Sequence, residues 1–173
     1  MPAYISHAIM MEEVFKETNN NHKVFPLDVN LDELKTFSLG IDLASLAPLK
    51  ENPHRMHTQD FFLYMISYIK NYQLVNDPHV MALLYGHVAH YFFDLTAHPF
   101  IYAIDLNSIR SSFIPNHHLI EGYLDSYLTN KILHLDIMDI NEKYFGYGST
   151  MSFIIFNRIE NNLNILIDNK LSS

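Results

Sequence analysis

The hydrophobic residues of this chain recur at helical spacing. In each long segment apolar side chains lie three and four positions apart, as at Phe61, Met65, Ile69 and Tyr72, rather than alternating with polar ones. Glycine, which interrupts regular elements, occurs only five times in 173 residues. The pattern therefore predicts an all-α protein.

Capping residues and prolines mark the predicted helix boundaries. Asp77 before Pro78 is a helix-start signal, because the Asp side chain accepts hydrogen bonds from the first turn and proline needs no partner there. Pro99 predicts that this helix ends or kinks near residue 97. Thr58 and Asn116 are predicted caps of two further helices. The predicted helices cover residues 4–17, 30–37, 58–74, 78–97 and 116–133, followed by a last helix that contains Phe153, Ile159 and Leu166.

Turns and loops fill the remaining positions. Residues 18–22 form a predicted polar turn, and residues 25–53 a long ordered loop that includes the short helix. A short segment is predicted at 106–112, and a glycine-containing turn at 146–150. No internal repeat or linker divides the chain, and 49% of its residues are hydrophobic. We therefore predict one domain that covers residues 1–173.

The amino-acid composition limits the kinds of binding site that this chain can form. The chain has no cysteine, which excludes disulfide bonds and thiolate zinc sites, so that a metal ion would be held by Asp, Glu and the 11 histidines. A net charge of -8 argues against a broad nucleic-acid-binding face. The N-terminal segment lacks the basic start of a signal peptide, and no window of about 18 residues is both apolar and uncharged. We therefore expect a cytoplasmic protein without a transmembrane segment.

One face of the helix that begins at Pro78 is unusually polar. His87, His90, Asp94 and His98 are spaced three, four and four residues apart, which places them within an arc of roughly 80°. An imidazole nitrogen and a carboxylate oxygen one turn apart can chelate a metal ion. A single helical histidine is usually a surface or core residue, but this repetition in a cysteine-free chain favours metal binding.

The helix predicted at 116–133 carries a second pair of the same kind. His117 and Glu121 are four residues apart, and Asp125 continues their face. His118 points about 100° away around the helix, which favours a surface position or an indirect role behind a ligand. By itself this pair is a weak signal.

Three further candidates are spread along the first third of the chain. His7 lies on the first helix, Asp42 follows Gly40 in the long loop, and His57 precedes the helix at 58–74. Each fits an ordinary structural role as well as metal binding. For Asp42 a role in a turn or a cap is the alternative.

Taken together, these residues resemble the zinc-dependent phospholipase C family, whose fold is related to that of the fungal zinc-dependent single-strand nucleases. Residues 85–102 look like the family's Gly-x-x-x-His-x3-Asp-x3-His-Pro stretch, and residues 117–125 look like its His-x3-Glu-x3-Asp element. Residues 1–7, 37–42 and 57–62 are similar to further motifs of the family in the same order. The stretch 37–42 has isoleucine where the family usually has proline.

The resemblance implies a fold and a metal site. The fold would be a compact multi-helix bundle of the phospholipase C and nuclease type, with the site between helices. The site would hold two or three zinc ions. His87 would lie behind the ligands, where it orients a ligand carboxylate or simply packs. The implied metal ligands are His7, Asp42, His57, His90, Asp94, His98, His117 and Glu121.

The resemblance also implies an activity. A zinc-bound hydroxide would attack the phosphorus of a phosphodiester, with Asp42 as the catalytic residue that orients or deprotonates the attacking water. The substrate would be a phospholipid head group, a nucleotide or a nucleic-acid phosphodiester.

A different class of function is open to the same sequence. A non-catalytic helical protein could keep one structural metal or a degenerate site and act through partner binding. Zinc content and phosphodiester turnover separate this alternative from the enzyme. A di-iron bundle is a further rival, but it would require Glu-x-x-His pairs on two helices, which the sequence does not show.

Overall fold

All regular elements in the described part of the chain are helical. The computed structural model describes residues 4–21, 25, 28–40, 58–106, 116–136 and 139–140, and the prediction of an all-α protein is confirmed. The predicted turn at 146–150, the last helix and the segment after residue 106 lie outside the described residues. The helices are α1 (Tyr4–Asn21), α2 (Leu31–Phe37), α3 (Thr58–Asn71), α4 (Pro78–Leu106) and α5 (Asn116–Leu128), with a 3-10 turn at Leu74–Asn76 and a π-helical turn at Thr129–Leu133.

Two of the predicted helix starts are confirmed by their hydrogen bonds. The side chain of Asn30 accepts from the backbone N–H groups of Asp32 and Glu33 and so caps α2. The carboxylate of Asp77 accepts from the backbone N–H groups of His79 and Val80, at 3.0 and 3.2 Å, at the start of α4. Both caps satisfy donors that have no partner within their own helix.

Two predicted helix ends are wrong. The polar segment 18–22 was expected to be a turn, but α1 continues to Asn21, and the hydroxyl of Thr18 donates to the carbonyl oxygen of Val14 within the helix. Helix α4 was expected to run to about residue 97 and to end or kink at Pro99; it does not end there but continues through Pro99 to Leu106. The carbonyl that loses its helical partner to Pro99 belongs to Leu95, an exposed residue that water can reach.

The main core lies where α2 crosses α4. Leu34 and Phe37 of α2 pack with Leu83 of α4, and Met11 of α1 and Met65 of α3 complete this cluster. The closest approach is at Gly86, where an added Cβ atom would lie 2.5 Å from the Cβ and 2.6 Å from the backbone carbon of Phe37. Only glycine fits this crossing without moving the two helices apart.

Helix α5 buries a polar face. Ile120, Leu124, Tyr127 and Leu128 were the expected apolar positions of this helix, but Tyr127 is exposed and the others are only partly buried. The residues of α5 and its π-helical turn that are buried are Glu121, Asp125 and Thr129. Asp125 has hydrogen-bonding partners on α1, and Glu121 faces His98 of α4. The hydroxyl of Thr129 donates to the Asp125 carbonyl oxygen in α5 itself.

No helix in the described ranges is long and apolar enough to cross a membrane.

Candidate metal centre

Asp94 stands at the centre of the polar face of α4. His90 precedes it by one helical turn and His98 follows by one, which the repeat of 3.6 residues places on the same side. The Nε2 atom of His90 lies 3.3 Å from Oδ2 of Asp94, and that of His98 lies 3.7 Å from Oδ1. The spacing of these three residues therefore brings their side chains together as predicted from the sequence.

Helix α1 adds His7 to this group. The Nε2 atom of His7 lies 3.3 Å from Oδ1 of Asp94, and its ring stacks on that of His90 with 4.4 Å between the ring centroids. His7 is only 2% exposed, and its Nδ1 atom has no hydrogen-bond partner among the residues that the structure describes. A buried ring nitrogen without a partner is costly, so this atom is a candidate for a ligand outside the chain.

The orientation of His90 is set by the end of α2. Its Nδ1–H donates to the carbonyl oxygen of Ser38, at 3.1 Å, because a carbonyl oxygen can only accept. In the neutral imidazole, Nε2 then carries the lone pair that faces Asp94. Gly40, with a φ of +58°, lies against the His90 ring, and a Cβ atom at this position would overlap it. Gly40 therefore lies directly beside the site.

Asp94 is ionised in this environment. Burial by itself raises the pKa of the Asp94 carboxyl group, but the hydrogen bond from His7 and the charges of His90, His7 and His98 outweigh burial. The pKa of Asp94 therefore lies below its ordinary value. An ionised carboxylate and the imidazole nitrogens that face it are the ligand types that hold zinc, once the imidazoles have lost their protons.

Glu121 of α5 forms the other half of the centre. Its side chain is only 2% exposed, with Oε1 lying 3.4 Å from Nε2 of His98 and Oε2 lying 3.2 Å from Nδ1 of His118. His98 therefore stands between the carboxylates of Asp94 and Glu121. His118, which the sequence placed behind a ligand or on the surface, contacts Glu121 directly.

His117 lies beside this half of the centre. Its ring is 3.9 Å from that of His118 and 6.1 Å from that of Tyr102, and Tyr102 in turn lies 5.5 Å from His98. Within the described ranges, no hydrogen bond or ion pair joins His117 to Asp94 or Glu121. The structure therefore brings His117 to the edge of the centre without a contact to either carboxylate.

The donor set fits a metal ion. Within the described residues, one group has ligand atoms that all lie within 4.8 Å of one another, namely His7, His90 and Asp94. Two imidazoles and a carboxylate are the ligands that zinc takes in proteins without cysteine. The unpartnered Nδ1 of His7 and the fixed ring of His90 agree with this use. Two of the predicted ligands, Asp42 and His57, lie outside the described residues.

His87 is the fourth polar residue on this side of α4, and its side chain is buried in the hydrophobic core. Its Nδ1–H donates to the carbonyl oxygen of Leu83 at 2.9 Å, and its ring stacks on Phe61 with 5.6 Å between the centroids. Burial lowers the pKa of His87 to about 4, and the hydrogen bond to Leu83 opposes this effect. These contacts are those of a packed core histidine.

His87 is expected to make folding depend on pH. Its pKa is about 4 when folded and 6.5 in the unfolded chain, so between these values the unfolded chain binds the proton. Stability is then greatest above pH 6.5, and falls by about 3 kcal/mol as the pH drops through 4. Urea unfolding of the zinc-free protein at several pH values measures this loss.

The variant His87→Asn is the control for this measurement. The asparagine amide retains a donor for the Leu83 carbonyl but does not titrate, so its free energy of unfolding should change less between pH 6.5 and 4. Equal pH dependence in both proteins would show that His87 is not the source.

The comparison with known proteins agrees with the geometry. The model of the zinc-dependent phospholipase C family matches residues 1–171, which include every helix described above. Searches of curated proteins and of solved structures return no match. The family implies zinc as the metal and a phosphodiester-type substrate. With nearly the whole chain covered and a His and Asp group that could hold a metal ion, the chain belongs to the zinc-dependent phospholipase C family.

Proposed function

We propose that this protein is a zinc-dependent phosphodiester hydrolase of the phospholipase C type. The observation that carries the proposal is the convergence of His7, His90 and His98 on the carboxylate of Asp94. A partly buried carboxylate surrounded by imidazoles, one of which has an unpartnered nitrogen, suits a bound divalent cation better than it suits packing alone.

The proposed ligands divide between two parts of the centre. His7, His90 and Asp94 form the first part, whereas His98 and Glu121 form the second, with His117 at its edge. Asp42 and His57 complete the set by their position in the family motifs. This number of donors serves two or three zinc ions. The full proposed set is His7, Asp42, His57, His90, Asp94, His98, His117 and Glu121.

Zinc bound by these residues would lower the pKa of a coordinated water toward neutrality and offset the negative charge of the phosphate oxygens. The chain's own residues have separate tasks. Ser38 holds the His90 ring through Nδ1, which keeps Nε2 facing the centre. By its place in the family motif, Asp42 would orient or deprotonate the attacking water. Gly40 leaves room for the His90 ring, which a Cβ atom at this position would overlap.

The substrate class follows from the same chemistry. The net charge of -8 opposes the binding of phosphate, so the local positive charge of bound metal ions would have to attract a phosphodiester. We favour a phospholipid head group as the substrate by family membership, and a nucleotide is the second candidate.

Zinc analysis and a hydrolysis assay test this proposal together. We expect two or three zinc ions per purified chain and turnover of a chromogenic phosphodiester, lost on chelation and restored by zinc. Phosphatidylcholine vesicles and a dinucleotide then distinguish the two substrates. One zinc ion without turnover would favour the non-catalytic alternative with a structural metal. A folded protein that binds no zinc would overturn the proposed enzyme and favour the alternative with a degenerate site.

A further inference from the structure

The carboxylate of Asp125 holds the N-terminus of α1. Its Oδ1 atom accepts from the backbone N–H of Ser6 at 2.9 Å and from the Ser6 hydroxyl at 2.6 Å, while Oδ2 accepts from the backbone N–H of Ile5 at 3.2 Å. Residues 5 and 6 belong to the first turn of α1, whose N–H groups have no partner within the helix. Asp125 therefore caps α1 from a helix about 120 residues away in the chain.

This cap lies directly beside the candidate metal centre. Ser6 is followed by His7, whose ring contacts Asp94 and His90, and Asp125 is one helical turn after Glu121 on the same face of α5. Three hydrogen bonds to one carboxylate fix both the rotation and the axial position of the α1 N-terminus. His7 thus has a defined position relative to the residues of α4.

We propose that Asp125 is a positioning residue for the metal centre, which holds His7 in register with His90 and Asp94. The inference rests on the proposed function, because it concerns the ion that these three residues would bind. Asp125 does not contact the ion and acts only through α1. It also links Glu121 on α5 with His7 on α1, so that the two parts of the centre keep a fixed separation.

The buried carboxylate of Asp125 is a costly link between α1 and α5. Asp125 is only 7% exposed, and burial raises the pKa of its carboxyl group although the hydrogen bonds from Ser6 and Ile5 oppose this effect. A buried carboxylate is an expensive way to join two helices, because desolvation of the charge offsets much of the hydrogen-bond energy. The carboxylate does, however, fix the directions from which its hydrogen-bond donors approach, which an apolar contact does not.

The test compares Asp125→Ala with Asp77→Ala. Asp77 also caps a helix with its carboxylate, but it does so at the start of α4, away from the centre. We expect Asp125→Ala to lower the affinity for one zinc ion by about 10- to 100-fold, which is the usual effect of losing a group that orients a ligand. Asp77→Ala should bind zinc as the wild type does. Competition with a chromophoric chelator measures the affinity and number of the ions.

The variant His7→Ala shows whether Asp125 acts through His7. If it does, adding Asp125→Ala to His7→Ala should not weaken zinc binding further, whereas independent effects would add. Additive losses, or unchanged zinc binding by Asp125→Ala, would overturn the inference. Ser6→Ala, which loses one of the three hydrogen bonds, serves in the same comparison if Asp125→Ala does not fold, and a smaller loss of affinity is expected.

A measurement on zinc-free protein separates this inference from the proposed function. His7 is buried, so diethyl pyrocarbonate should modify it slowly in the wild type and in Asp77→Ala. In Asp125→Ala we expect several-fold faster modification of His7, read by mass spectrometry. An unchanged rate in Asp125→Ala would contradict the positioning role even if zinc binds. Faster modification in Asp125→Ala, in a protein whose wild type binds no zinc, would leave only the proposed function in error.

Discussion

Replacing Asp94 with asparagine should abolish most phosphodiester hydrolysis. The amide has nearly the same shape as the carboxylate but no charge, so the three imidazoles of His7, His90 and His98 lose the anion on which they converge. We expect kcat/KM to fall by at least about 100-fold, the scale that follows the loss of one preorganised electrostatic group. Zinc content should fall by at least one ion per chain.

The matched control for this variant is Asp28→Asn. It makes the same chemical change at an exposed position before α2, outside the family motifs and the proposed ligand set. Zinc content and kcat/KM of this variant should equal those of the wild type. Full zinc occupancy and full turnover in Asp94→Asn would remove Asp94 from the centre, and the three imidazole contacts would then need another explanation.

Gly86→Ala should destabilise the fold. Alanine favours a helix over glycine by about 1 kcal/mol, but the added methyl group would meet both the Cβ and the backbone of Phe37. A backbone contact cannot be relieved by a side-chain rotation, so α2 and α4 must separate. We expect a net loss of about 2 kcal/mol in the free energy of unfolding, measured by urea denaturation.

Gly122→Ala provides the opposite case in the same protein. Gly122 also lies within a helix, but an added Cβ atom would meet nothing within 4 Å. This substitution should stabilise the protein by up to about 1 kcal/mol through helix propensity alone. If both alanine variants gained stability, the close crossing of α2 and α4 would be wrong.

Gly86→Ala should also weaken zinc binding. The end of α2 supplies the Ser38 carbonyl that orients His90, so a shift of α2 away from α4 disturbs this hydrogen bond. Gly122→Ala should leave zinc affinity unchanged. The packing of the core and the geometry of the centre are therefore linked through one crossing of two helices.

The predictions made from the sequence were wrong where local signals for a helix end competed with tertiary packing. Polar residues near the end of α1 and Pro99 within α4 indicated helix ends, but both helices continue. Local preference is a weak constraint when the rest of a helix is held by tertiary contacts. For α5 the expected apolar positions were confirmed only in part, since Leu128 packs on a buried cluster but Tyr127 is exposed. Glu121 and Asp125 are the buried residues because other helices supply their partners, and periodicity does not reveal such partners.

The sequence by itself determined the fold class and the polar face of α4. Both depend on spacing within one helix, where residues four apart must lie on the same side. The tertiary structure decided which donors meet Asp94 and how they are oriented. His7 reaches Asp94 because α1 packs on α4. The ring of His90 is oriented by a carbonyl group 52 residues away in the chain. Asp125 caps α1 through Ser6, which is 119 residues away. Contacts over such separations depend on how the helices cross, and the spacing of residues within a single helix carries no information about that crossing.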